Sequence, residues 1–223
     1  MRAHCGNVAL TYGYGVMAHL LRTRSSNART VEFAGAASTM GHNEDAWTVL
    51  DSQVFYDNPW ITVREDRVIQ PDGEEATWCI AEMKPGVSVL PVADDGTAYL
   101  VRVFRYTIGR DSIEAIAGGI DEGETPEDAA RRELREEGGI DAAELIDLGK
   151  TDQMTEVVVS PCHLFLARGL SFTRPNREET EQMRVVSVPL EQALDWAMDG
   201  TITHAASMAL LFKAARVLQT CVE

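Results

Sequence analysis

The run from Gly118 to Ile140, GGIDEGETPEDAARRELREEGGI, constrains this chain more than any other stretch, because it carries both ends of one helix. Thr125 is a good N-cap, Pro126 suits the first helical position, and Glu127 and Asp128 meet the positive end of the helix dipole. Asp128, three residues after Thr125, makes a loose capping box, and Gly138-Gly139 supplies the stop. These signals predict a helix from about Pro126 to Glu137. On it Glu133, Glu136 and Glu137 fall within an arc of roughly 100°, beside the apolar stripe of Ala130 and Leu134. Three carboxylates crowd one edge of a buried face. Like charges so placed repel one another, and a bound cation is the natural compensation; hard oxygen ligands point to Mg²⁺, with Mn²⁺ as the alternative.

A Glu/Arg-rich helix is most often a solvated face, and Arg132 with Glu136 is an ordinary i, i+4 pair. That reading leaves the register of the whole segment unexplained. Gly118, Glu124, Arg132, Glu133, Leu134, Glu136, Glu137, Gly139 and Ile140 stand at fixed spacing, which ordinary residue usage produces on the order of 10⁻⁹ times per starting point. The segment resembles a complete Nudix box, the signature of the Nudix hydrolase superfamily, which hydrolyses nucleoside diphosphates linked to another moiety. The flanks extend the likeness. VRVFRYTIGRDSIEAIAGGIDEGETPE resembles the ADP-ribose pyrophosphatase branch, as does EETEQMRVVSVPLEQALDWAMDGTITHAASMALL, similar to that branch's C-terminal strand, acidic loop and two helices.

The resemblance implies an α+β Nudix fold, a mixed β-sheet sandwiched between α-helices. It implies Mg²⁺-dependent hydrolysis of an ADP-ribose-like nucleoside diphosphate sugar to a nucleoside monophosphate and a sugar phosphate. Glu133 and Glu137 are expected to hold the metal, with Glu136 contributing directly or through water and, by resemblance, the backbone carbonyl of Ala117 completing the site. Arg132 is expected to orient a glutamate, while Glu124 either ties the loop to the helix or stands behind the ligands. In that branch the general base comes from an acidic loop after the box, here Glu178-Glu179-Thr180-Glu181, which makes Glu179 the first choice and Glu181 the second. Glu156, in MTEVVV, is a third candidate. Arg105, in FRYTIGR, resembles an arginine that contacts diphosphate, its bland reading being a surface salt bridge. Trp78 and Trp60 could stack on a base, or pack in a core.

Where the branch commonly shows a proline beyond the box, this chain has Val157, with Pro161 arriving late. The departure leaves other substrates open: GDP-mannose, dinucleoside polyphosphates or oxidised dNTPs. A non-catalytic nucleotide-sugar sensor is the alternative from another class, but it would be expected to lose box glutamates, and none is lost. Resemblance also implies a homodimer whose N-terminal strands help build the partner's pocket.

The net charge of −15 argues against a nucleic-acid partner, and no apolar run approaches the ~18 residues of a membrane span. Cys5, Cys79, Cys162 and Cys221 show neither metal-ligand spacing nor a disulfide rhythm, which suggests reduced thiols and a cytoplasmic protein. His4, His19, His42, His163 and His204 are scattered, and none suggests zinc. Residues 1–39 hold four arginines against one acid, Glu32, without sustained periodicity. They read as a disordered or spurious extension, although an organelle transit peptide shares that composition. Residues 40–223 read as one Nudix domain.

Within that domain WTVLDSQVFY, WITVREDRVI and ATWCIAEM are strand-like, and Pro71-Asp72-Gly73 is a turn. VSVLPVA and AYLVRVFRY flank Asp94-Asp95-Gly96, which predicts a hairpin. SIEAIA predicts one strand feeding the loop at Gly118. LIDLGKT, CHLFLARGL and MRVVSVP follow as strands, with helices at about Leu190 to Met198 and Ile202 to Val217.

Overall fold

The computed structural model describes residues 47–173 and 183–220. Among these residues the chain forms eleven strands, three α-helices and two irregular helical turns. The described chain falls into two compact units. One comprises residues 47–55 with Glu65–Cys79, drawn from β1 (Thr48–Asp57), β2 (Ile61–Ile69) and β3 (Glu75–Met83). Inside it Ser52 Oγ donates to Asp66 Oδ1 at 2.5 Å, and Trp47 meets Trp78 edge to face with ring centres 5.2 Å apart.

The other unit, residues 56–64 and 80 onward, holds the helices and two further sheets. The first orders β7 (Ile116–Gly119), β4 (Gly86–Pro91), β10 (Pro161–Phe172) and β8 (Ile140–Asp152); β4 runs parallel to β10, and the other pairs are antiparallel. The second orders β11 (Met183–Pro189), β5 (Thr97–Arg105) and β6 (Arg110–Glu114), all antiparallel. A two-residue β9 (Val158–Val159) pairs with the end of β3.

Strand alternation divides the side chains between two cores. Leu90, Leu100, Leu164 and Leu166 join α2 (Leu190–Asp199) and α3 (Ala205–Thr220) through Ala193, Leu210 and Leu211. Val87, Val89, Val101 and Phe165 face the other way, onto Ala129, Ala130 and Leu134 of the box helix and its last turn. Helices therefore lie on opposite faces, as the expected sandwich requires.

Three local expectations change. Asp94-Asp95-Gly96 does turn the chain, with Asp95 Oδ1 accepting from Thr97 N–H at 2.9 Å, but its flanks share only the Val92–Ala98 bridge before diverging into different sheets. SIEAIA is two strands rather than one, divided at Ala115, whose N–H donates to Ser207 Oγ at 2.8 Å instead of to a ladder. The last helix starts at Ala205, later than predicted, because Ile202 N–H is taken by Trp196 O at 2.8 Å.

Candidate active site

The box helix begins as its sequence dictates. In α1 (Pro126–Glu133) the Thr125 hydroxyl accepts from Asp128 N–H at 3.1 Å and donates to the Asp128 carboxylate at 2.6 Å. Its end departs from expectation. After Glu133 the helix widens into one π-turn, Leu134–Gly138, which Gly139 stops in the left-handed region at φ 62°. Glu137, on the Ala130 face by ordinary helical spacing, is 7% exposed, while the Glu136 side chain keeps 44% of its exposure.

Arg132 organises the loop before the helix. Its guanidinium donates to both Glu124 oxygens at 2.9 Å, to Gly119 O at 2.8 Å, to Glu133 Oε1 at 2.5 Å and to Glu136 Oε2 at 3.2 Å. Glu124 also accepts from Asp121 N–H at 3.0 Å, so it ties the loop to the helix. The Arg132 fork holds the Glu124 carboxyl below its ordinary range, and the surrounding acids push Arg132 still higher, led by Glu124.

Two buried carboxylates lie against the strand that enters the loop. Glu133 is 8% exposed and presses on Gly118, where a Cβ would stand 1.9 Å from Glu133 Oε1. Only glycine leaves that space. Glu137 Oε2 accepts from Ala117 N–H at 3.2 Å. Burying carboxylates is costly without cations or donors, and oxygen ligands beside a glycine cradle suit a small hard cation. Among the described residues, no three His, Cys, Asp or Glu side chains converge as a metal site, since Glu133 and Glu136 are turned to Arg132. Glu133, Glu137 and the Ala117 backbone are therefore brought together, with Glu136 at the rim.

The remaining candidates separate. Glu178, Glu179 and Glu181 lie outside the described residues. Glu156 is exposed, in a tight turn where Val157 and Val158 N–H both reach Met154 O at 3.0 Å. Trp78 packs against Trp47, whereas Trp60 is 68% exposed with Lys84 Nζ 5.9 Å from its ring centre. Arg105 forms a fork with Glu114, at 3.0 and 2.6 Å, on the wall of a cleft of about 320 Å³.

The sequence assigned no role to Glu114 and His204, which line that cleft, or to Ser207 behind His204. His204 Nδ1 lies 2.8 Å from Ser207 Oγ and 3.8 Å from Glu114 Oε2. Burial would raise the Glu114 carboxyl, but Arg105, His204 and Ser112 together hold it below the usual range. Burial pushes His204 below the usual imidazole value, against the pull of Glu114. The one available signal was an acid inside the apolar strand SIEAIA.

Residues 82–210 match the NUDIX domain family, and residues 47–78 match the nucleoside diphosphate sugar hydrolase N-terminal domain. An ADP-ribose pyrophosphatase of Bacillus subtilis (strain 168) is 34% identical over 155 residues, covering 66% of this chain and 80% of its own. A protein named ADP compounds hydrolase NudE, from Escherichia coli (strain K12), is 30% identical over 131 residues, covering 58% and 69%. A crystal structure of an ADP compounds hydrolase aligns with TM-score 0.71 and 23% identity, over 78% of this chain and 95% of that one, and shows the shared fold.

Proposed function

The chain belongs to the Nudix family, and on that premise we propose that it is a pyrophosphohydrolase cleaving an ADP-ribose-like nucleoside diphosphate sugar to a nucleoside monophosphate and a sugar phosphate. The observation that carries this reading is the pair of buried carboxylates, Glu133 and Glu137, packed on Gly118 and Ala117. The ADP-ribose pyrophosphatase names of its relatives support the substrate class.

A pyrophosphate link resists water mainly through its own negative charge. A divalent cation, Mg²⁺ or Mn²⁺, supplies counter-charge to the diphosphate oxygens and makes water more acidic. Glu133 and Glu137 would hold it, with Glu136 and the Ala117 carbonyl. Arg132 keeps the glutamates in register and the loop closed over the helix. Glu179, with Glu181 as second choice and Glu156 as third, takes the proton from the attacking water. Arg105, oriented by Glu114, contacts the diphosphate. The protein works in the cytoplasm as a homodimer. The exposed apolar residues of β1, Val49 at 58% and Phe55 at 56%, support such pairing, and light scattering at a dimer's mass checks it.

The test is a substrate panel of ADP-ribose, GDP-mannose, UDP-glucose, diadenosine polyphosphates and oxidised dNTPs, with both products identified, run on the wild type and Glu137→Gln. Expected is release of a nucleoside monophosphate and a sugar phosphate, reduced at least ~10²-fold in the variant because the lost ligand acts on transition-state charge. Near-wild-type turnover by a folded Glu137→Gln protein removes the metal assignment.

A further inference from the structure

In a chain of net charge −15, the cleft beside β6 is unusual because its cations outnumber its acids: Arg105 and Arg110 against Glu114. Glu114 is already satisfied by the Arg105 fork. Arg110 is not so matched. Among the described residues its guanidinium has one partner, the Thr203 hydroxyl at 2.9 Å, and no carboxylate.

His204 adds a second donor. Ser207 Oγ accepts from Ala115 N–H, so its own hydrogen is free to point at His204 Nδ1, 2.8 Å away. A neutral imidazole that accepts at Nδ1 carries its proton at Nε2, and among the described residues that N–H has no partner. His204 lines the cleft. Ala205, also in the wall, opens α3, a helix of 16 residues with no acid in its first turn. Its first amides and dipole add to the same positive field.

We propose that this cleft is a phosphate-binding site, in which Arg110, His204 Nε2–H and the start of α3 receive a phosphate or phosphomonoester dianion. Arg110 supplies a planar fork of donors suited to phosphate oxygens, and Thr203 holds that fork in place. A volume of about 320 Å³ is enough for a phosphate carrying a small sugar. That the occupant is a product of the reaction, since both products are phosphomonoesters, rests on the hydrolase reading; the anion site itself does not.

The test follows the imidazole signals of the five histidines by NMR in the full chain with Mg²⁺, His204 being assigned through His204→Asn. Inorganic phosphate, AMP and ribose 5-phosphate are titrated against adenosine, ribose and chloride at matched ionic strength. Expected is a saturable shift of His204 but not of His163 with phosphate and its esters, and none with the controls. Arg110→Gln, an exposed change, should weaken the apparent affinity by about tenfold or more through the lost charge-assisted bonds, with Arg110→Lys intermediate. A shift with inorganic phosphate alone supports the anion site and overturns the product assignment. No saturable shift up to about ten times the ~1 mM scale of a weak site, or one untouched by Arg110→Gln, overturns the proposal. Phosphate binding without hydrolysis of any substrate would count against the hydrolase reading alone, and hydrolysis with a silent His204 against this site alone.

Discussion

A single missing methyl group sets the position of Glu133. The Cβ of Gly118→Ala would fall 1.9 Å from Glu133 Oε1 and 2.1 Å from its Cδ, so the carboxylate must leave. Expected is a loss of turnover of ~10²-fold or more with weakened Mg²⁺ dependence, while circular dichroism reports an intact fold; unchanged turnover would show that Glu133 does not need this place. Three titrating residues also fix the direction of the pH response. Glu124 and Glu114 sit below their unfolded values, so their stabilisation is present above about pH 4.3 and is lost as pH falls through the folded values. His204 is lowered as well, so below its unfolded value near 6.5 the unfolded chain binds the extra proton and stability again falls with pH. All three act in one direction. Urea midpoints should therefore decline from pH 7 toward pH 4, and His204→Gln should flatten the upper part of that decline. A midpoint that rises on acidification would contradict the assigned shifts.

At the scale of elements, the box helix depends on its two ends for different things. Thr125→Ala removes an N-cap bond and should cost about 1 kcal/mol, read as a lower melting temperature with turnover retained, because the cap lies a full turn and more from Glu133. Gly138→Ala acts on the π-turn. Its Cβ would meet Ile116 Cδ1 at 2.8 Å, and Ile116 is fully buried, so relief must come from the turn itself. That variant should lose activity more than stability, since the turn carries Glu137. Equal effects of the two substitutions on turnover would show that the wide turn has no bearing on the site.

For the whole molecule, two cores on opposite faces allow stability and chemistry to be perturbed separately. Leu210→Ala, in the core beneath α2 and α3, should cost roughly 2–5 kcal/mol while leaving the Mg²⁺ dependence of the folded protein unchanged. Leu134→Ala, at the base of the π-turn in the other core, should cost as much and alter that dependence too. Residues 1–39 lie outside the described residues, and the expectation drawn from their sequence has a direct test: a chain beginning at Met40 should keep its melting temperature, dimeric state and catalytic efficiency. The match to the N-terminal domain family begins later still, at residue 47. Lost stability in that shorter chain would place the boundary earlier.

By itself the sequence determined what local chemistry can write: the start of the box helix, its Gly139 stop, the strand periods, and the grouping of Glu133, Glu136 and Glu137 within one stretch of chain. Capping and alternation are short-range, so they are legible residue by residue. Only the tertiary structure decided how those elements were shared out. A turn signal at Asp94-Asp95-Gly96 cannot say that its two strands join different sheets, because pairing is chosen by distant partners such as Phe165 and Val185. The π-turn arises where the helix end meets Ile116 and Ile140, a contact that no helical period encodes. Arg105 looked like a substrate ligand or a surface ion pair; its fork with Glu114 depends on the pairing of β5 with β6. His204 came to Glu114 from the far end of the chain, and a link of that range is set by packing rather than by spacing.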